Sequence, residues 1–138
     1  GHGLEVAGWT KRGRIENNEV RNNGQAGVHL TGGSGAMVVR RNRVWGNTGP
    51  GMQLQSGSSR TVVTDNEVHA NAVGVVLTDQ QQTVVAANQI HNNRRAVRLS
   101  NAGGNYIFGN QLWDNWQTGL RVWMPGVLPN YGQNNIVK

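Results

Sequence analysis

Asn42-Arg43-Val44-Trp45-Gly46-Asn47 and, 24 residues later, Asn66-Glu67-Val68-His69-Ala70-Asn71 follow one pattern: asparagine, any residue, a hydrophobic residue, two more of any kind, asparagine. Further copies run from Asn18 to Asn23, Asn88 to Asn93 and Asn110 to Asn115, so successive copies are 24, 24, 22 and 22 residues apart. A fixed period of this length belongs to stacked solenoid coils, each of which buries its apolar face only against its neighbours. A second pattern, Gly-hydrophobic-x-hydrophobic, keeps the same beat at Gly3 to Val6, Gly27 to Leu30, Gly51 to Leu54, Gly74 to Leu77 and Gly119 to Val122, and Ala96 takes the glycine position before Val97-Arg98-Leu99. Together they predict an all-β solenoid in one domain, residues 1–138, with about six coils of 22–24 residues and three short strands per coil, the last closing at Asn134-Asn135-Ile136.

Period-two alternation assigns the core. The first strand points pairs such as Val28 and Leu30 inward. The second contributes Ile15, Val39, Val63, Val85 and Ile107, and the third Val20, Val44, Val68, Ile90 and Leu112. Each set forms an inward column with neighbours about 4.8 Å apart. Asn18, Asn42, Asn66, Asn88 and Asn110 fall at corners, where their amides can pass hydrogen bonds from coil to coil and where asparagine tolerates left-handed backbone. The phased glycines are read as turn residues.

Composition narrows the function classes. The chain has 20 glycines, three prolines and no cysteine, so a disulfide framework and thiolate metal sites are excluded. It contains no run of 18 apolar residues and does not begin with a basic segment followed by an apolar stretch, so no membrane association is expected. The first strand begins by residue 4 without a visible capping segment, which points to a module of a longer protein. At the other end, Gly119 to Lys138, with Pro125, Pro129 and Tyr131, is expected to form a partial cap.

From Gly3 to Ile136 this repeat resembles that of right-handed parallel β-helix proteins, the superfamily typified by pectate lyases. The resemblance implies a right-handed parallel β-helix. The superfamily holds polysaccharide lyases, glycoside hydrolases, uronate epimerases, phage tailspikes and carbohydrate-binding modules, most of which handle long saccharide chains. In fold and ring-rich surface the chain resembles the β-helical binding modules attached to plant cell-wall hydrolases. That implies a xylan-like polysaccharide ligand, an appended catalytic domain in the parent protein and an extracellular, secreted location.

Two outward surfaces carry the candidate binding residues. On the third strand, Arg21, Trp45, His69, His91 and Trp113 share a column. The four rings Trp45, His69, His91 and Trp113 are expected to stack on sugar C–H faces, the alternative being that they stack only on each other. On the first strand, the columns Glu5, His29, Gln53, Val76, Arg98, Arg121 and Ala7, Thr31, Gln55, Thr78, Ser100, Trp123 make a polar face where Gln53, Gln55 and Arg98 would contact hydroxyls. The resemblance makes this strand the usual cleft of the superfamily's enzymes. Arg94, Arg95, Arg98 and Arg121 cluster by column. They suit a uronate carboxylate or a phosphate, or else form a solvated edge that discourages strand pairing.

The residues needed for catalysis do not converge in this register. The seven carboxylates are Glu5, Glu16, Glu19, Asp65, Glu67, Asp79 and Asp114. No two share a column in adjacent coils, which disfavours a multi-carboxylate calcium site. Glu19 and Glu67 are separated by Arg43 and read as an ion ladder, while Asp65 and Glu67 flank Asn66 at a corner. His69 and His91 are neighbours with no carboxylate or third histidine expected from adjacent coils. No catalytic residue, metal or cofactor is assigned. The net charge of +6 raises nucleic acid as a partner, but the arginines alternate with glutamates on one face and scatter elsewhere, so it is not expected. Two alternatives stay open: a fragment of a lyase, hydrolase or epimerase, and a structural stalk or spike segment whose apolar outer face would be the column Val38, Val62, Val84, Tyr106.

Overall fold

Each predicted hydrophobic column lies at the centre of a sheet. The computed structural model describes residues 1–123 and 129–138, in which every strand pairs in parallel with its counterparts one coil away. The first sheet stacks Leu4–Val6, Val28–Leu30, Pro50–Leu54, Val73–Thr78, Arg95–Ser100 and Thr118–Trp123. The second stacks Arg14–Glu16, Val38–Arg40, Val62–Thr64, Val84–Ala86, Tyr106–Phe108 and Tyr131–Gln133. The third stacks Glu19–Arg21, Arg43–Trp45, Glu67–His69, Gln89–His91, Gln111–Trp113 and Ile136–Val137. The result is a right-handed parallel β-solenoid of six coils among the described residues. Val28, Leu30, Met52, Leu54, Val75, Leu77, Val97 and Leu99 of the first sheet face Val39, Val63, Val85 and Ile107 of the second and Val44, Val68, Ile90 and Leu112 of the third, all fully buried in one narrow core.

The corners are held by asparagine ladders. Asn66 Oδ1 accepts the Asn42 backbone N–H at 2.9 Å and its Nδ2 at 3.0 Å. Asn66 in turn donates its N–H and Nδ2 to Asn88 Oδ1 at 3.0 and 2.9 Å, and its Nδ2 also reaches Val39 O at 2.9 Å. The same scheme joins Asn18 to Asn42 and Asn88 to Asn110 and Asn135. It recurs at the other end of the third sheet through Asn23, Asn47, Asn71, Asn93 and Asn115. A shorter ladder, Asn105 to Asn130, serves the corner entering the second sheet.

Two local expectations are corrected. The ladder asparagines do not themselves take the left-handed conformation. The preceding residue does, as at Arg41 (φ 54°), Asp65 (55°), Ala87 (54°), Ala70 (54°) and Asp114 (52°). The preceding residue turns the chain, which leaves the asparagine in position to reach along the axis. Nor are the phased glycines turn residues. A Cβ on Gly51 would lie 2.5 Å from Val68 Cγ1, 2.8 Å from Asn71 Nδ2 and 2.9 Å from Gly74 O, and Gly27 meets the corresponding valine, asparagine and glycine of its own surroundings. Their constraint is space where the first strand meets the third, rather than a positive φ.

The expected cap does not form among the described residues. Tyr131–Gln133 and Ile136–Val137 extend the second and third sheets, and the inward positions Leu120 and Val122 stay 38% and 44% exposed. Pro125 lies outside the described residues. The column Val38, Val62, Val84, Tyr106 does face outward, and it continues to Tyr131, whose ring stacks on Tyr106 at 5.1 Å.

Asn66→Ala strands the Asn42 amide and opens the ladder on both sides, so it should cost about 3 kcal/mol or more. The exposed Gln89→Ala control should stay within about 0.5 kcal/mol. Denaturant midpoints at unchanged slope check both.

Candidate functional site

The third-sheet rings come together in the predicted order. Trp45 and His69 stack at 5.7 Å with planes 4° apart, His69 and His91 at 4.9 Å and 4°, and His91 and Trp113 at 4.3 Å and 11°. Parallel strands place equivalent side chains one above another, so the ring planes lie across the solenoid axis and the faces between successive rings are covered, leaving only the outer faces of Trp45 and Trp113 without a stacked ring. The Arg43 guanidinium sits 4.9 Å from the Trp45 ring centre and that of Arg21 sits 5.6 Å away. The ladder therefore presents ring edges along its length. At its far end, Trp113 borders a pocket of about 440 Å³ with Gln111, Asp114, Ile136 and Lys138.

A carboxylate does join the histidines, contrary to the sequence expectation. Glu67 Oε1 lies 3.4 Å from His91 Nε2 and 3.9 Å from His69 Nε2, while Glu67 Oε2 pairs with Arg43 Nε at 3.0 Å. The column reading missed it because Glu67 precedes His69 by two residues on the same strand, which puts both side chains on one face. The ion ladder closes on the Glu67 side of Arg43. Asp65 Oδ2 accepts the Thr64 hydroxyl at 3.1 Å, so each carboxylate beside Asn66 already has partners of its own.

The first sheet keeps the predicted outward column Glu5, His29, Gln53, Val76, Arg98, Arg121 in register, and of the second column it pairs Thr78, Ser100 and Trp123, while Ala7, Thr31 and Gln55 fall just past the ends of their strands. Gln53 Nε2 donates to Gln55 Oε1 at 2.7 Å. Val76 points outward yet is only 2% exposed. Two pockets open on this face. One of about 400 Å³ is lined by residues that include His2, His29, Pro50, Gln53 and Gln55, and one of about 320 Å³ by Arg95, Arg98, Ser100, Arg121 and Trp123. Arg121 lies 5.1 Å over the Trp123 ring. Gln53, Gln55 and Arg98 therefore share one face, and the four rings occupy another.

One cluster escaped the sequence reading. His29 Nδ1 lies 3.1 Å from Glu5 Oε1, the His2 ring packs on His29 at 4.2 Å, and one potential ligand atom from each of the three lies within 4.8 Å of the others. His29 and Glu5 were already in one column; His2 precedes the first strand and carries no register. The trio has the donor types of a divalent-metal site. However, His2 Nδ1 accepts the Ala26 amide at 3.2 Å, which places the neutral ring's proton on Nε2. To ligate through Nε2, the ring would have to give up that bond.

The family model described as "Right handed beta helix region" matches residues 1–112. No curated protein matches the chain. Among solved structures, the A-module of the Azotobacter vinelandii mannuronan C-5 epimerase AlgE6 is similar, with a TM-score of 0.53 and 18% identity over 99% of this chain and 54% of that one. The chain thus spans about half the length of that module, and the likeness is one of fold.

His29 and His69 have pKa values lowered from the usual 6.5, chiefly because burial disfavours the charged ring. The unfolded chain then binds more protons than the folded one below pH 6.5, so stability is complete above that value and falls as the pH drops through it. Melting temperature should decline from pH 7 to pH 5, and His69→Gln should flatten that decline relative to the parent.

Proposed function

This chain belongs to the right-handed β-helix family, and from that premise we propose that it is a non-catalytic module that binds a plant cell-wall polysaccharide along its first sheet. The observation that carries the reading is the pair of pockets opening on a single straight strand face, the Gln53 and Gln55 end in the third coil and the Arg98 and Trp123 end in the fifth and sixth. A face of parallel strands repeats its side chains at about 4.8 Å, a step of the order of one pyranose residue in an extended chain. It can therefore offer a polymer the same kind of contact several times over. Gln53, Gln55 and Ser100 supply neutral donors and acceptors for hydroxyls, and Trp123, which is more than half exposed, supplies a ring. Trp45, His69, His91 and Trp113 offer their edges as a second contact surface.

In this reading the ligand is a xylan-like chain, and the module is secreted as part of a polysaccharide-degrading protein with an appended catalytic domain. A non-catalytic role is supported by the engagement of Glu67 with Arg43 and His91 and by the scatter of the remaining carboxylates. The exposed stripe of Tyr106, Phe108 and Tyr131 favours a second reading, a stalk segment that packs against copies of itself. Sedimentation at micromolar concentration distinguishes it, because a stalk should self-associate where a binding module stays monomeric.

Affinity electrophoresis in gels containing xylan, pectin, alginate or β-glucan, with product release assayed in parallel, tests the main reading. Retardation without reducing ends or unsaturated products is expected, and Gln53→Ala combined with Gln55→Ala should weaken it about tenfold or more. If Trp45→Ala or Trp113→Ala abolishes retardation instead, binding belongs to the ring ladder. Product release would make the chain part of an enzyme.

A further inference from the structure

We infer that His2, Glu5 and His29 form a binding site for a divalent transition-metal ion of the zinc class, set at the N-terminal end of the first sheet. The site does not depend on the saccharide reading above. Glu5 and His29 are register partners on adjacent parallel strands, so the backbone holds both side chains in one outward column. Glu5 Oε1 and His29 Nδ1 are 3.1 Å apart. Neighbouring ligand atoms around a tetrahedral zinc ion are separated by about 3.4 Å, given bonds of about 2.0–2.1 Å. Two ligands therefore stand close to the spacing that an ion needs. His29 is 6% exposed, which fixes its ring, whereas the Glu5 side chain is half exposed and can follow the ion.

The third ligand comes from the segment before the strand. Gly1 O accepts the Gln25 N–H at 3.2 Å and the Gly3 N–H donates to Ala26 O at 3.0 Å, so the backbone is tied on both sides of His2 and only its side chain has to move. The His2 ring already packs on His29 with centres 4.2 Å apart, and one potential ligand atom from each of the three residues lies within 4.8 Å of the others. Closing that distance takes a rotation of His2 that releases the Ala26 amide. Ala26 and His2 both line the pocket of about 400 Å³, so the freed N–H meets solvent there, and the same opening leaves room for a water or a ligand oxygen in the fourth position. As the ion takes His29 Nδ1, the ring's proton moves to Nε2. That atom is buried without a partner in either tautomer, so the shift sacrifices no hydrogen bond. The other histidine pair does not compete. His69 and His91 are parallel within 4°, so their ring nitrogens run side by side instead of converging, and the second oxygen of Glu67 is engaged by Arg43 at 3.0 Å. His2 and His29 are tilted by 33°. Two imidazole ligands favour an ion of this class over calcium or magnesium, which take shells of oxygen.

Titration of the intact chain with Zn²⁺ in competition with a chromophoric chelator tests the site, with Ca²⁺ and Mg²⁺ as controls. One Zn²⁺ per chain is expected, and the melting temperature should climb as free zinc is raised while responding to neither control. Glu5→Gln and, separately, His2→Gln should each weaken zinc binding about tenfold or more and remove most of that climb. Neither side chain is buried, so both variants should melt close to the parent in the absence of metal, which verifies that they fold. His91→Gln should bind zinc as the parent does. A parent that zinc does not stabilise, or unchanged zinc affinity in either Glu5→Gln or His2→Gln, would overturn the site. Loss of binding in His91→Gln would overturn it too, by moving the ion to the ring ladder. Calcium bound as tightly as zinc would make the ligands oxygens and overturn the imidazole assignment.

Discussion

A side-chain amide can accept two hydrogen bonds at its oxygen and donate two from its nitrogen, and the rest of this structure depends on that two-sided capacity. At each corner the asparagine oxygen takes a backbone N–H and a side-chain N–H from the coil before, while its own nitrogen reaches a carbonyl and the oxygen of the coil after. Corners are where a solenoid would otherwise bury unpaired backbone groups, because strand pairing stops there. The ladders satisfy those groups and fix the axial step. They also hold the coils in register despite the change from a 24- to a 22-residue repeat, since Asn66 bonds to Asn42 and to Asn88 in the same way.

That fixed register determines what the surface can do. With the register locked, outward side chains stack directly over one another, and the outcome depends on which side chains meet. Flat rings in one column close on each other, as from Trp45 to Trp113, and become a rigid rib. Arginines in one column cannot pair, so Arg98 and Arg121 hold a pocket open between them. Glutamines are short of neither donors nor acceptors and satisfy each other, as Gln53 and Gln55 do, while remaining able to exchange that bond for a ligand's. A single lattice thus yields a structural rib on the third sheet and a chemically available face on the first.

The glycine column shows how tightly the lattice is drawn. Gly51 leaves no room for a methyl group because the valine of the third strand and the ladder asparagine occupy that space. Ala96 fits at the equivalent position with full burial, where the third-strand residue is Leu112, unbranched at Cβ, instead of a valine or isoleucine. Arg95 and Arg98 flank it on the strand that lines the basic pocket.

The sequence by itself determined the period, the inward columns, the three strands per coil and the membership of both outward columns, because strand alternation and parallel stacking turn residue spacing directly into position. Gln53, Gln55 and Arg98 could be assigned to one face, and Trp45, His69, His91 and Trp113 to another, from spacing alone. Only the tertiary structure decided how those side chains spend their bonding capacity. Spacing along the chain does not give the tilt of a ring, so it could not say that the faces between successive rings are closed. It does not give side-chain reach, so it separated Glu67 from His91. It places no residue before the first strand, so it left His2 out of contact with His29. Nor does it measure dryness. The Nε atoms of Arg95 and Arg98 are buried without a hydrogen-bond partner, which spacing along the chain does not show.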